Sequence, residues 1–397
     1  MAESNNDKKL FDVWLSLKCG YKTNVFDKLR IHFANAEDVY NADADSLSSP
    51  GINPKQLNAL KDKRISKAQE IVKYCNKLGI KIISFGDKEY PNKLRTIPSP
   101  PIVLYAIGKL QDTAARLSVA VIGAREMTNY GAYAAEKLAY DLADANAVIV
   151  SGLAKGIDAK AHCGAIKASG YTIGVCGTSV DKIYPTENSA LFQYMYENQT
   201  VISEFPPLTP TPSYSFPVRN RIISGMCDAT VVVEAGAESG TLITVASARK
   251  QSRDVFAVPH SNGSSPGTVS LLRKGYIPVT SAATVAERYA EKYKDTLNIK
   301  AETYEPLEKE IQNGSAAAQP IIYTRAMLER SEASEALSLL SPVEESILKL
   351  FGNVSVLSTD AVIASVYAPP SKVLAALTKL QMLDLITQTS NGAWVAK

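Results

Sequence analysis

Val119-Ala-Val-Ile-Gly-Ala-Arg125 is an apolar run that stops abruptly at a glycine and an arginine, and five more stretches repeat the design. They are Val148-Ile-Val-Ser-Gly152, Ile173-Gly-Val-Cys-Gly177, Val201-Ile-Ser-Glu204, Val231-Val-Val-Glu-Ala-Gly236 and Val255-Phe-Ala-Val-Pro-His260. Runs apolar on both faces suit strands covered by helices above and below, the condition of a parallel sheet. Helical spacing over 130–145, 156–169, 187–197, 218–226, 240–251 and 267–274 fills the intervals. Strand and helix alternating in this way predict an α/β fold with a doubly wound, mostly parallel sheet. Ligands of such sheets gather beyond the carboxyl ends of the strands, where this chain concentrates its glycines and hydroxyls.

Outward from that centre the chain divides four ways. Residues 1–84 read as a small helical domain, with helices over Leu10–Lys18, Val25–His32, Ala36–Tyr40 and Ile65–Leu78, broken at Gly20, Pro50-Gly51 and Pro54. Leu17 to Thr23 has the outline of a helix-hairpin-helix turn, with one glycine where the DNA-binding pattern has two. Residues 85–295 hold the sheet. Residues 296–342, with Asn313-Gly-Ser-Ala-Ala-Ala318, have linker composition. Residues 343–397 predict helices over Glu344–Phe351, Ser358–Val366 and Ser371–Met382 and then two short strands, a winged-helix-like pattern.

The composition excludes several classes. At 46% hydrophobic and 21% charged, the 397-residue chain is ordinary for a globular protein. No apolar run approaches the ~20 residues of a membrane span. The amino terminus has no apolar stretch behind its charges, so a secretory signal is not expected. Five cysteines are scattered without a CxxC pair, as in a cytoplasmic protein with reduced thiols. The net charge of +3 is too small for a global attraction to polyanions, so any such binding must rest on a local cluster.

The strand ends supply that cluster. Gly123-Ala124-Arg125 precedes Thr128-Asn-Tyr-Gly131 at a helix start, pairing unpaired amides with a planar cation suited to phosphate. It is not GxGxxG, which argues against a nicotinamide cofactor. Ser151-Gly152, with Lys155 and the start of the next helix, forms a second anion cradle. Ser151, Asp158 and His162 invite a triad reading, but no separate base and orienter accompany them, and no third metal ligand stands in register with His162-Cys163. Asp181-Lys-Ile-Tyr184-Pro-Thr-Glu-Asn188 places Tyr184 and Asn188 at a pocket rim. A proline-rich loop then delivers Phe216, Arg219, Asn220 and Arg221 together, an aromatic beside guanidinium groups, the combination that unpaired nucleic acid requires. Ser239-Gly240-Thr241 after Glu234 opens a further amide nest, with Glu234 available as a cap, an arginine partner or a ribose ligand.

In this order the motifs closely resemble the DNA-processing protein A (DprA/Smf) family. The matching text is Val-Ile-Gly-Ala-Arg with Thr-Asn-Tyr-Gly, then Ser-Gly-Leu-Ala-Lys-Gly-Ile-Asp and Tyr-Pro-Thr-Glu-Asn. Ser-Glu-Phe-Pro, Phe-Pro-Val-Arg-Asn-Arg-Ile-Ile-Ser-Gly and Ser-Gly-Thr-Leu-Ile-Thr complete it. The resemblance spans about 85–290 and implies an extended Rossmann-like domain. It further implies a protein that binds and protects incoming single-stranded DNA, loads a RecA-type recombinase during natural transformation, and dimerises through that domain; the sequence offers no metal cluster, Walker lysine motif or acid–base pair, which fits binding without cofactor or turnover. Carried over by motif, Gly123 and Arg125 take a phosphate, Ser151, Gly152 and Lys155 line the pocket, and Arg219, Asn220 and Arg221 build its wall. This chain departs from the family with Ala124 for a serine, Thr186 for a basic residue, His260 for a glycine and Thr268 for an asparagine.

Two other functions compete. Glu-Ser-Gly-Thr at a strand end is reminiscent of the phosphate loop of Rossmann-like nucleoside monophosphate phosphoribohydrolases, although the Pro-Gly-Gly lead-in and the following helical glutamate are missing. A duplex-DNA-binding tail is the other, but its candidate recognition helix offers only Lys372 and Lys379, too few for the phosphate contacts such modules make.

Overall fold

In the computed structural model the described residues are 2–21, 23–48, 51–212, 214–260, 263–298, 342–351, 357–366, 369–382, 385–389 and 393–396. They fall into two bodies, Met1–Glu310 and Ile311–Lys397.

The first body opens with six helices: α1 (Ala2–Cys19), α2 (Val25–His32), α3 (Ala36–Asn41), α4 (Ala44–Ser48), α5 (Pro54–Lys61) and α6 (Ser66–Leu78). Trp14 and Tyr40 pack edge to face at 5.0 Å, and the Lys63 ammonium lies over both rings. Sequence reading missed α4 and α5. Pro54, taken as a break, sits at the first turn of α5, where its lost N–H has no partner to lose, and Asn53 caps that turn through the Gln56 amide.

Strands and helices then alternate: β1 (Lys81–Ser84), α7 (Asn92–Arg95), β2 (Val103–Gly108), β3 (Ser118–Gly123), α8 (Asn129–Asp144), β4 (Val148–Ser151), α9 (Ile157–Lys167) and β5 (Thr172–Val175). After these come α10 (Ser189–Asn198), β6 (Thr200–Ser203), α11 (Ser215–Gly225), β7 (Ala229–Glu234), α12 (Thr241–Lys250), β8 (Asp254–Ala257), α13 (Pro266–Arg273), β9 (Ile277–Pro278) and α14 (Ala282–Arg288). All six apolar runs are strands of one nine-stranded sheet, in the order β1-β2-β6-β5-β4-β3-β7-β8-β9. β1 and β2 run antiparallel to their neighbours, and the rest of the ladder is parallel. The edge strand β1 lies inside the stretch read as the helical N-terminal domain. The boundary expected at 84/85 therefore cuts through the sheet rather than between two bodies.

β3 decides where the site forms. The chain builds β4, β5 and β6 on one side of it, then returns to lay β7, β8 and β9 on the other. Its alternation feeds two cores: Val119 and Val121 face α8, α9 and α14, while Ala120 and Ile122 face α11 and α12. The β3–β7 register slips between Ile122 and Gly123, at the carboxyl end of the pair where the strand order reverses.

At the opposite end of β7, buried Asp228 takes Lys93 Nζ at 2.5 Å, Lys292 Nζ at 2.8 Å, the Tyr293 hydroxyl at 2.8 Å and the Ser118 amide at 3.1 Å. All five cysteines are buried, and none is in a disulfide. Burial pushes the thiols of Cys75 and Cys176 up to about 12.

The second body carries α15 (Pro342–Phe351), α16 (Thr359–Ser365) and α17 (Pro370–Met382), followed by an antiparallel pair, β10 (Ile386–Gln388) and β11 (Trp394–Ala396). Ile347, Phe351, Val362, Val373, Leu377, Leu380, Ile386 and Trp394 form its core. The linker expected over 296–342 lies, apart from its first three residues and its last, outside the described residues.

Burial raises the Asp228 carboxyl, but Lys93 and the surrounding donors outweigh it and hold the group below its ordinary 3.8. A depressed carboxylate stabilises the fold above its unfolded pKa and loses that contribution as pH falls through the folded one. Asp228→Asn should therefore cost about 3 kcal/mol at neutral pH, with the penalty shrinking below about pH 4, as read by urea unfolding at several pH values.

Candidate functional site

The carboxyl ends of β3, β4, β5 and β7 meet the amino ends of α8, α9, α11 and α12, and most of the residues singled out above as anion ligands lie on these segments. They are not equally available to a ligand.

The first cradle is closed from within. Glu234, at the end of β7, accepts the Thr128 amide at 3.0 Å and the Thr128 hydroxyl at 2.9 Å, while that hydroxyl caps the Gly131 amide at 3.0 Å. The start of α8 thus has its anion already, and Glu234 serves as a clamp rather than a ribose ligand. Gly123 is held tightly: a Cβ there would lie 2.6 Å from Ile157 and 2.9 Å from the Glu234 carbonyl. Ala124 is used through its backbone, its N–H donating to Glu234 O at 2.8 Å and its carbonyl accepting from Ile157 N at 3.1 Å. Gly156 lets that loop approach, since at φ +79° a Cβ would meet the Ala124 carbonyl at 2.3 Å.

The second cradle holds Asp158. Its carboxylate accepts the Gly152 amide at 3.1 Å and is buried in the first turn of α9. Burial pushes this carboxyl above its ordinary range, opposed by the Arg219 guanidinium and by the amides of Gly123 and Gly152. Gly152 makes room for both charges, because a Cβ there would stand 2.6 Å from Arg219 Nη1 and 2.6 Å from Asp158 Oδ2. Ser151 does not line a pocket as expected. Its hydroxyl donates to Val121 O at 2.7 Å and the residue is fully buried.

Arg219, also buried, donates from Nη1 to Gly152 O at 2.7 Å and to Val175 O, and from Nε to Asn220 Oδ1 at 3.1 Å. It ties α11 to the ends of β4 and β5. Arg221 does not join the wall. Two helical residues apart is about 200° of rotation, so the two arginines leave α11 on opposite sides. Arg221 forms a buried ion pair with Glu204 at 2.7 Å, both side chains under a tenth exposed.

What remains open is continuous. The exposed Arg125 guanidinium lies 5.7 Å from the Phe216 ring centroid, and Arg219 lies 6.0 Å from it. Phe216 rests against Gly177, where a Cβ would come within 2.6 Å of the ring, and meets Tyr184 at 5.4 Å. Asn220 Nδ2 reaches Gly240 O at 3.4 Å. Ser239 donates its hydroxyl to Thr241 Oγ1 at 3.0 Å, and Thr241 donates in turn to Gly123 O at 3.1 Å. Gly236 and Gly240, before the first turn of α12, have open space above them. Lys155 is exposed and paired with Glu187, and Asn188 Nδ2 bonds Leu153 O at 2.9 Å. Sequence reading missed Leu153 and Gly177 as supports. A glycine closing a strand is the signal for the second, but nothing marks the ring that will lie on it.

No acid–base machinery assembles among the described residues. His162 Nδ1 pairs with the Thr172 hydroxyl at 2.7 Å, and burial drives its pKa down to about 3, so it stays neutral, while the Ser151 hydroxyl is committed to Val121 O. The departures His260 and Thr268 are absorbed structurally. The His260 ring stacks edge-on with Tyr130 at 4.9 Å, and Thr268 Oγ1 donates to Ser265 O at 3.0 Å.

A family model described as DNA recombination-mediator protein A matches residues 81–290. The DNA processing protein DprA of Bacillus subtilis is 38% identical over 216 residues, covering 54% of this chain and 73% of that protein. DprA of Streptococcus pneumoniae is 37% identical over 250 residues, covering 62% and 85%. The X-ray structure of that protein superposes with a TM-score of 0.60 at 32% identity, over 70% of this chain and 97% of its own.

Arg219→Ala should lower stability by about 3 kcal/mol, because it leaves Asp158 buried without its cation. Arg125→Ala, on the surface, should stay within about 0.5 kcal/mol of the parent. Denaturant midpoints of the two variants check the split, and equal loss would mean that Arg125 is structural.

Proposed function

Because the chain belongs to the DNA recombination-mediator protein A family, we propose that the surface running from Arg125 over Phe216 to Gly240 binds single-stranded DNA. One observation carries the reading: an exposed guanidinium lies against an aromatic ring beside an unobstructed helix start. The cation takes a phosphate, the start of α12 takes the next, and the aromatic pair of Phe216 and Tyr184 favours an unstacked base over a duplex, whose bases are hidden. Lys155, Asn188, Asn220, Ser239 and Thr241 border this path. The backbone glycines admit any sequence, as fits a protein that receives whatever strand arrives.

The chain acts without turnover. Ser151, Asp158 and His162 each serve a neighbour inside the fold, and Glu234, the residue a phosphoribohydrolase reading would enlist for ribose, is clamped on Thr128. The role that fits is holding and protecting a strand and passing it to a RecA-type recombinase during transformation, in the cytoplasm, by a homodimer joined through the sheet domain. No helix among the described residues is long and apolar enough to cross a membrane.

Combining Arg125→Ala with Phe216→Ala should weaken binding of an oligo-dT about a hundredfold or more while the fold persists. For about four phosphates, log affinity should fall with log salt at a slope of about −3. Anisotropy titrations at several salt concentrations test both. A flat slope, or duplex bound as tightly as single strand, refutes the reading.

A further inference from the structure

We propose that Tyr184, rather than Phe216, is the ring on which a nucleobase stacks, with Phe216 as its support. The proposal rests on the reading of this surface as a single-strand binder and deepens it.

Phe216 is already surrounded. Gly177 lies against its ring, the Arg219 guanidinium stands 6.0 Å from its centroid, and the Arg125 guanidinium stands 5.7 Å away. A base seated there would have to displace Arg125, the exposed guanidinium that takes its phosphate. Tyr184 is next in line, tilted 47° to Phe216 at 5.4 Å, and is 50% exposed. Half of an aromatic surface left in water is the payload that base stacking removes.

The turn that carries Tyr184 is held before any ligand comes. Asn188 bonds Leu153 O at 2.9 Å, Thr178 Oγ1 bonds Lys182 O at 3.1 Å, and the Tyr74 hydroxyl reaches Asp181 Oδ2 at 3.1 Å. Lys155 pairs with Glu187 on the same turn. A fixed ring loses little freedom on binding. The charges of the turn also choose the ligand group. With Lys155 paired to Glu187, Asp181 and Lys182 leave the turn without net charge, so it offers phosphate no net attraction and leaves the base as the part it accepts.

Arg125 and Tyr184 therefore divide one nucleotide between them, backbone to the cation and base to the ring. Anisotropy titration of the full chain with oligo-dT and with an abasic oligonucleotide of equal length separates the two. Tyr184→Ala should raise Kd for oligo-dT about ten- to a hundredfold and leave the abasic Kd unchanged. Tyr184→Phe should restore oligo-dT binding, and Tyr184→Leu, apolar but without a π face, should not. Equal losses on both oligonucleotides, or none on oligo-dT, overturn the assignment. Parent protein that binds both equally overturns base stacking while leaving the phosphate reading intact. Parent protein that binds neither overturns both.

Discussion

A guanidinium sealed beneath the strand ends organises everything around it. Arg219 bonds the carbonyls that close β4 and β5, sits beside the Asp158 carboxylate, and lies under the Phe216 ring. Carbonyls at strand ends and a buried acid are all electron-rich, and one planar cation satisfies them together. Without it the loops would carry unpaired acceptors away from water, a cost of about 1–3 kcal/mol each. Its glycine neighbour is part of the same solution, because a Cβ at Gly152 would occupy the space of both charges.

The protein also fills its own anion sites selectively. Glu234 sits at the start of α8 and Asp158 at the start of α9, where helix dipoles and free amides would otherwise attract phosphate. The start of α12 holds no such acid, only the neutral Ser239 hydroxyl on the Thr241 amide. Three similar helix starts at one sheet edge are thus reduced to one directional path, with Arg125 at its head. A doubly wound sheet provides the crevice, and internal acids decide which part of it stays open.

Six of the nine strands were legible because they are apolar on both faces and stop at glycine or polar residues, a pattern that local chemistry alone produces. The helices between them followed from spacing. Pro54 misled because a proline opening a helix and one breaking it look alike until the Asn53 cap is seen. Arg221 misled for a geometric reason: adjacency in Arg-Asn-Arg suggests one surface, but a helix turns consecutive alternate residues apart. Ser151 and Gly152 were singled out for their chemistry, and the structure spends that chemistry on Val121 and Asp158. Sequence names the donors and acceptors of a site. Only the folded chain shows which of them already have partners, since such a partner can lie far along the chain, as Val121 lies 30 residues from Ser151.

The sealed thiols have a practical side. Cys19, Cys75, Cys163, Cys176 and Cys227 are each no more than 4% exposed, and burial keeps four of them, Cys163 apart, far from the thiolate form that reacts with electrophiles. A cysteine introduced on the exterior is chemically alone. A maleimide fluorophore then reports from that one place, with no native cysteine removed.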